Sequence, residues 1–366
     1  MKISISRAEI LPALQVINGV VERRQTLPIL SNLLFVVSKD NIALTATDME
    51  VELVATIKKS SQKTGEITLP ARKLLDICRA LPEDATINLE ISNDRATITS
   101  GKSRFVLATM PAQEFPLVEF AEDANHFQIS QASFKNILDN TSFAMAQQDV
   151  RYYLNGLLLE LEGSRLRAVA TDGHRLALCD TQHETKQTKP VQVIVPRKGV
   201  TELARLLGDE DKNIDVQLSG NHIRIDLDGI KFTSKLVDGK FPDYTRVIPP
   251  ESETPIVANK NLLRQSLTRA SILSNEKYRG VRIILEPGKL RALAHNPEQE
   301  EAEEEIEVKY GGHEVEIGFN VSYLLDALSI IKTEQVYITI SDPNSSCLFL
   351  PENTSDCKFV VMPMRL

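Results

Sequence analysis

The chain says the same thing three times. The segment "LTATDMEVEL" (Leu44 to Leu53) returns as "AVATDGHRLAL" (Ala168 to Leu178) and, more weakly, as "ALAHNPEQE" (Ala292 to Glu300). Aligned on Asp48, Asp172 and Asn296, each step is 124 residues. "ATMPAQEFP" (Ala108 to Pro116) matches "KLVDGKFP" (Lys235 to Pro242), and the third copy ends at "FVVMPMRL", the last eight of 366 residues. A fixed period of this length predicts three similar domains, each large enough to bury its own core. Their expected bounds are 1–120, 127–248 and 252–366.

Within each copy, β-rich segments such as "NLLFVVSKDNIALTAT" and "NHIRIDLDGIKFTSKLV" surround two amphipathic helices. The second helix carries Leu74, Ile77, Cys78 and Leu81 in copy one; Val200, Leu203, Ala204 and Leu207 in copy two; and Val321, Leu324, Leu325 and Leu328 in copy three. Each set has the i, i+3, i+4, i+7 spacing of one buried face. The first helices obey the same rule at Ile10, Ala13, Leu14 and Ile17, and at Phe134, Ile137, Leu138 and Thr141. Two helices packed on antiparallel sheets, three times over, is an α+β architecture.

The net charge of −8 argues at first against a nucleic-acid partner. Seven glutamates between Glu298 and Glu307 ("NPEQEEAEEEIEV") supply −7 of it, which leaves the rest near neutral. The helical stretches 71–81, 197–207 and 259–273 are basic, through Arg72, Lys73 and Arg79, through Arg197, Lys198 and Arg205, and through Lys260, Arg264 and Arg269. Basic helices on an acidic body still bind phosphate if they share one surface. No apolar run is long enough for a membrane helix or a signal peptide, so a cytoplasmic location is expected. Cysteines 78, 179, 347 and 357 lack metal-ligand spacing and read as buried, reduced thiols.

Three motifs look chemical and are better read as structural. Asp172 and His174 invite an acid–base pair, or a metal-dependent hydrolase together with the glutamates. Yet the aspartate recurs at Asp48, where Met49 and Glu50 replace the glycine and histidine, as a turn residue would. "GKS" (Gly101 to Ser103) is followed by a strand instead of a helix, so no helix N-terminus faces a phosphate. The glutamate run lacks the spacing of a calcium loop, and its strand-like neighbours make it a turn plus a charged edge strand. No catalytic residue, metal or cofactor is expected.

"TLPILSNLL", "QDVRYYLNG", "ATDGHRLAL", "VPRKGV", "FTSKLVDGKFPDY", "LSNEKYRGVR", "NPEQEEAEEE", "GFNVSYLLDAL" and "VMPMRL" together resemble the family of bacterial DNA polymerase III β subunits, the replication sliding clamps, over the whole chain. The resemblance implies a non-enzymatic processivity factor. Two chains would join head to tail into a six-domain ring whose twelve helices surround duplex DNA, read without regard to sequence. DNA contacts are then expected from Arg24, Arg72, Gln148, Tyr152, Tyr153 and Lys198.

The resemblance also implies a groove for short peptide motifs of polymerases, the clamp loader and repair proteins. Its residues would be Leu154, Thr171, Gly173, His174, Arg175, Leu176, Pro242, Arg246, Val247, Ser346, Val360, Met362, Pro363, Met364 and Arg365, with Asn344 on the rim. Adaptable methionines suit a surface that takes varied partners. A peptide scaffold that never meets DNA is the alternative reading. If the ring closes head to tail, domain three must meet domain one of the other chain. Lys73, Lys102 and Arg104 are the expected partners of Glu298, Glu301 and Glu304, around Phe105 and Leu107 against Ile272 and Leu273.

Overall fold

The structure, a computed structural model, describes residues 1–21, 27–92, 94–120, 125–340 and 342–365, with the side chains of 184–189 left out. The first repeat runs β1 (Lys2–Ser6), α1 (Arg7–Ile17), β2 (Asn32–Val37), β3 (Asn41–Thr47), β4 (Val51–Lys58), β5 (Gly65–Pro70), α2 (Ala71–Ala80), β6 (Thr86–Ser92), β7 (Arg95–Ser100) and β8 (Ser103–Ala108). The second runs β9 (Asn125–Ser130), α3 (Gln131–Thr141), β10 (Gly156–Thr171), β11 (Arg175–Pro196), α4 (Arg197–Leu206), β12 (Asn213–Ser219), β13 (His222–Leu227) and β14 (Ile230–Lys235). The third is β15 (Ile256–Asn259), α5 (Lys260–Ala270), β16 (Gly280–Glu286), β17 (Lys289–His295), β18 (Glu301–Glu307), β19 (Val315–Asn320), α6 (Val321–Ile330), β20 (Gln335–Thr339), β21 (Cys347–Pro351) and β22 (Cys357–Val361). The first and third repeats have the same element order. The second differs only in that four strands are fused into two long ones, β10 and β11.

The helices form where the apolar period places them. Ile10, Leu14 and Ile17 of α1, Phe134, Ile137, Leu138 and Thr141 of α3, Leu74 and Cys78 of α2, Val200 and Leu203 of α4, and Leu324 and Leu328 of α6 are all buried. Ser6 starts α1 with a capping box: its hydroxyl accepts from the Glu9 amide, and the Glu9 carboxylate accepts from the Ser6 amide at 2.9 Å.

By compactness the chain divides into two units, Met1–Ala132 with Lys198–Leu236 and Ser133–Arg197 with Val237–Leu366. The cut falls inside the second repeat because neighbouring repeats share sheets. In the first unit a four-stranded sheet, β1-β6-β7-β8, lies beside an eight-stranded one, β5-β2-β3-β4-β14-β13-β12-β9. Here β4 of repeat one pairs antiparallel with β14 of repeat two, setting Leu53 opposite Phe232. In the second unit β11 of repeat two pairs with β22 of repeat three in the sheet β10-β11-β22-β21-β20-β15, while β18-β17-β16-β19 forms a second sheet. The same joint is thus made twice within one chain. Two strands of the corresponding positions, β8 and β18, are left at sheet edges.

Reduced thiols were expected at all four cysteines. Cys78 and Cys347 are free and buried, but Cys179 and Cys357 form a disulfide. The two sit directly opposite in the β11–β22 pair, 178 residues apart in the chain. Only the tertiary pairing of repeats two and three brings them together.

Candidate peptide groove and DNA-facing residues

In the second unit, the Thr171–Arg175 turn joins β10 to β11. The Thr171 hydroxyl donates to the Arg175 carbonyl at 2.6 Å and accepts from the Gly173 amide at 3.1 Å. One Asp172 oxygen accepts from the amides of His174 and Arg175 at 2.9 and 3.0 Å, and the other meets the Arg175 guanidinium at 3.2 Å. Gly173 has φ +88°, which favours glycine, and a Cβ there would lie 3.1 Å from an Arg151 nitrogen. The aspartate carboxylate is therefore spent on turn geometry. Among the described residues no group of three His, Cys, Asp or Glu is placed to hold a metal ion.

An apolar floor lies beside this turn. Leu154, Leu176 and Val360 are buried in one cluster with Leu158, Leu178, Phe241 and Leu348, and Val247 and Tyr153 pack against it half-buried. The chain end is tied to the turn, since the Met362 amide donates to the His174 carbonyl at 2.9 Å. The Ser346 hydroxyl meets the Met362 sulfur at 3.0 Å. Pro242 and Arg246 stand exposed at the rim, where Arg246 pairs with Asp243 at 2.8 Å, and Asn344 is exposed on the β20–β21 turn. Met364 and Arg365 also line a separate pocket of 310 Å³ with Tyr278 and His295.

Arg175 is mostly buried and has a structural part. Besides Asp172 it binds Asp326 and the Phe143 carbonyl, and it lies 4.7 Å from the centre of the Tyr323 ring. Tyr323 in turn stacks on His174 with ring centres 6.1 Å apart. Sequence reading missed Tyr323 because it falls on α6, which reads there as an ordinary amphipathic helix. It also missed Arg151, which bonds Asp149 at 2.8 Å and approaches Gly173; Asp149 has its pKa lowered to about 2 by that hydrogen bond.

The loop 148–155 carries candidates of both kinds. Asn155 closes it by bonding the Asp149 amide and carbonyl at 2.9 and 2.8 Å. Gln148, at φ +55°, and Tyr152 are exposed, whereas Tyr153 is half-buried with its ring edge-on to Tyr152. In the first unit, Arg72 reaches the Val21 carbonyl at 3.4 Å, and Lys198 forms an ion pair with Asp48. Lys198 thus already has an anionic partner, a competition the sequence does not show. Arg24 lies outside the described residues.

The dimer candidates occupy the two free edges. On β8, Lys102 just before it, Arg104 and Val106 are exposed, and Phe105 is half-buried while Leu107 is buried. Lys73 is exposed on α2, Ile272 is exposed after α5, and Leu273 is half-buried. On β18, Glu301 is exposed, and in the turn before it Glu298 lines a polar pocket of 450 Å³ with Ile272 and Lys277. Glu304 departs from expectation: Arg269 of its own chain holds it at 2.7 Å and lowers its pKa. Glu303 and Glu305 are partnered by Arg291 and Lys289 at 3.0 and 3.7 Å.

Three family models describe the chain end to end: the DNA polymerase III beta subunit N-terminal domain over 1–119, its central domain over 128–243 and its C-terminal domain over 245–365. The chain is 52% identical to the beta sliding clamp of Pseudomonas aeruginosa and 48% identical to that of Escherichia coli, each match spanning all of both chains. The crystal structure of the P. aeruginosa protein superposes with a TM-score of 0.97 over the full length of both chains. Another, of the same protein bound to griselimycin, gives 0.96 at 52% identity, again covering both chains completely.

Proposed function

The chain belongs to the DNA polymerase III beta subunit family, and we infer that it is a DNA sliding clamp, a non-catalytic processivity subunit that encircles duplex DNA and tethers its polymerase. The observation that carries the ring is the repeated sheet joint. Strand β4 joins β14 and strand β11 joins β22, so their equivalents left at sheet edges, β18 and β8, form the third instance of the same joint, to be made with a second chain. Two copies joined head to tail leave no open edge of this class. Carrying the β4–β14 register across sets Arg104 opposite Glu303 and Phe105 opposite Ala302, and of the carboxylates around Arg104 Glu301 is the one without an ion-pair partner among the described residues.

Held topologically, such a ring needs only modest positive charge toward its DNA. Exposed Arg79 and Arg264 and the exposed Gln148 and Tyr152 suit contacts to phosphate and sugar that carry no sequence information. The protein should stay on nicked circular DNA and run off the same DNA once linearised; equal escape rates from the two would sink the ring. The groove around the Thr171–Arg175 turn is the site for peptide motifs of polymerases, the clamp loader and repair proteins in the cytoplasm. Its support is the Met362 segment, held to the His174 carbonyl beside an apolar cluster. Deleting Met362 to Leu366 should abolish polymerase binding and leave the dimer intact, and unchanged polymerase binding would refute the groove.

A further inference from the structure

The first unit contains a second version of the turn that frames the groove. The Thr47 hydroxyl donates to the Val51 carbonyl at 3.0 Å and accepts from the Met49 amide at 3.0 Å, and Asp48 accepts from the amides of Glu50 and Val51 at 2.9 and 2.7 Å. Every one of these bonds has its counterpart around Asp172. The match extends across the strand joint: the Lys235 amide donates to the Glu50 carbonyl at 2.8 Å, as the Met362 amide does to the His174 carbonyl at 2.9 Å. Lys235 therefore stands where Met362 stands. Beside this turn is an open pocket of 350 Å³, lined by Met49, Pro116, Leu117, Glu119, His222 and Lys235 among others.

We propose that this pocket is a second docking site, for an extended peptide that carries an aliphatic anchor flanked by a carboxylate. The peptide reading of the groove supplies the backbone precedent, and the pocket's own side chains supply the specificity. Met49 and Leu117 are 54% and 60% exposed, large apolar groups turned to water beside a concave surface. Met49 also holds φ +75° at the position where the groove has Gly173, so a flexible thioether is presented from a backbone shape that disfavours any side chain. Lys235 is exposed and has no ion-pair partner among the described residues. His222 adds no charge at neutral pH, because burial first, then Lys235 and Arg224, lower its pKa. Lys235 is thus the cation that selects a carboxylate, while Glu119 on the same lining repels one and so sets the peptide's direction.

Methionine methyl NMR on the full-length protein tests this directly, since Met49 reports the pocket while Met362 and Met364 report the groove. The probe is an acetylated, amidated peptide of sequence Leu-Asp-Leu-Asp-Leu. Saturable shifts at Met49 are expected, with Lys235→Glu weakening them by roughly tenfold while the Met362 and Met364 shifts are unchanged. Leu117→Ser should weaken the Met49 response in the same selective way, which covers the case of a Lys235 variant that folds poorly. A Met49 methyl that stays still while Met362 and Met364 titrate overturns the second site and leaves the groove standing. A response at Met49 alone supports the pocket and removes the groove, and silence at all three overturns the pocket.

Discussion

Gly173 shows how much one residue decides. Its φ of +88° lets the Thr171–Arg175 turn close with two hydroxyl and two carboxylate bonds, and its missing Cβ leaves room for Arg151. Gly173→Ala should lower stability by about 1 kcal/mol in denaturant titrations and weaken peptide binding, because the added carbon meets the guanidinium as well as the strained backbone. The aspartates at 48 and 172 were legible as turn residues because the motif recurs without its histidine. Their second oxygens were not legible: one holds Lys198, 150 residues away, and the other holds Arg175.

Among elements, α1 illustrates a helix whose start is written locally. The Ser6 hydroxyl and amide, followed by Lys59, lower the Glu9 pKa to about 2 from 4.5. A depressed carboxyl contributes stability that is complete above about pH 4.5 and is lost as pH falls toward 2. Glu9→Gln should therefore flatten the acid limb of the denaturant midpoint between those limits, and Ser6→Ala should cost about 1 kcal/mol at neutral pH. The strand joints are of another kind, because nothing local specifies them. Phe232 on β14 is fully buried opposite Leu53 of β4, and Phe232→Ala should cost about 3–5 kcal/mol, read as a loss of global stability.

At the scale of the whole molecule, the unpaired edges β8 and β18 call for a second chain. Exposed ion pairs contribute only about 0–1 kcal/mol each, so the apolar contact of Phe105 and Leu107 with Ile272 and Leu273 should hold the joint while the charges set its direction. Reversing Lys102 and Arg104 together to glutamate should weaken the dimer in sedimentation, most at low salt; Ile272→Asp should break it at every salt concentration. An unchanged dimer constant in the charge-reversed protein would remove the electrostatic half of this assignment. Because Arg269 already engages Glu304, Glu304→Gln is expected to disturb the dimer less than Glu301→Gln.

The sequence by itself determined the threefold plan, the two helices per repeat and the α+β class, because a period of 124 residues and a 3.6-residue apolar stripe are both carried along the chain. It also marked the glutamate run as a turn and an edge strand, since charge on every exposed position of β18 is a local pattern. Which edges join was decided only by the tertiary structure. Strand partners are chosen by backbone hydrogen bonds between segments up to 186 residues apart, and these have no signature in composition or periodicity. The same long-range pairing placed Cys179 against Cys357, gave Asp48 to Lys198 and Glu304 to Arg269, and built a second copy of the groove's turn beside Lys235.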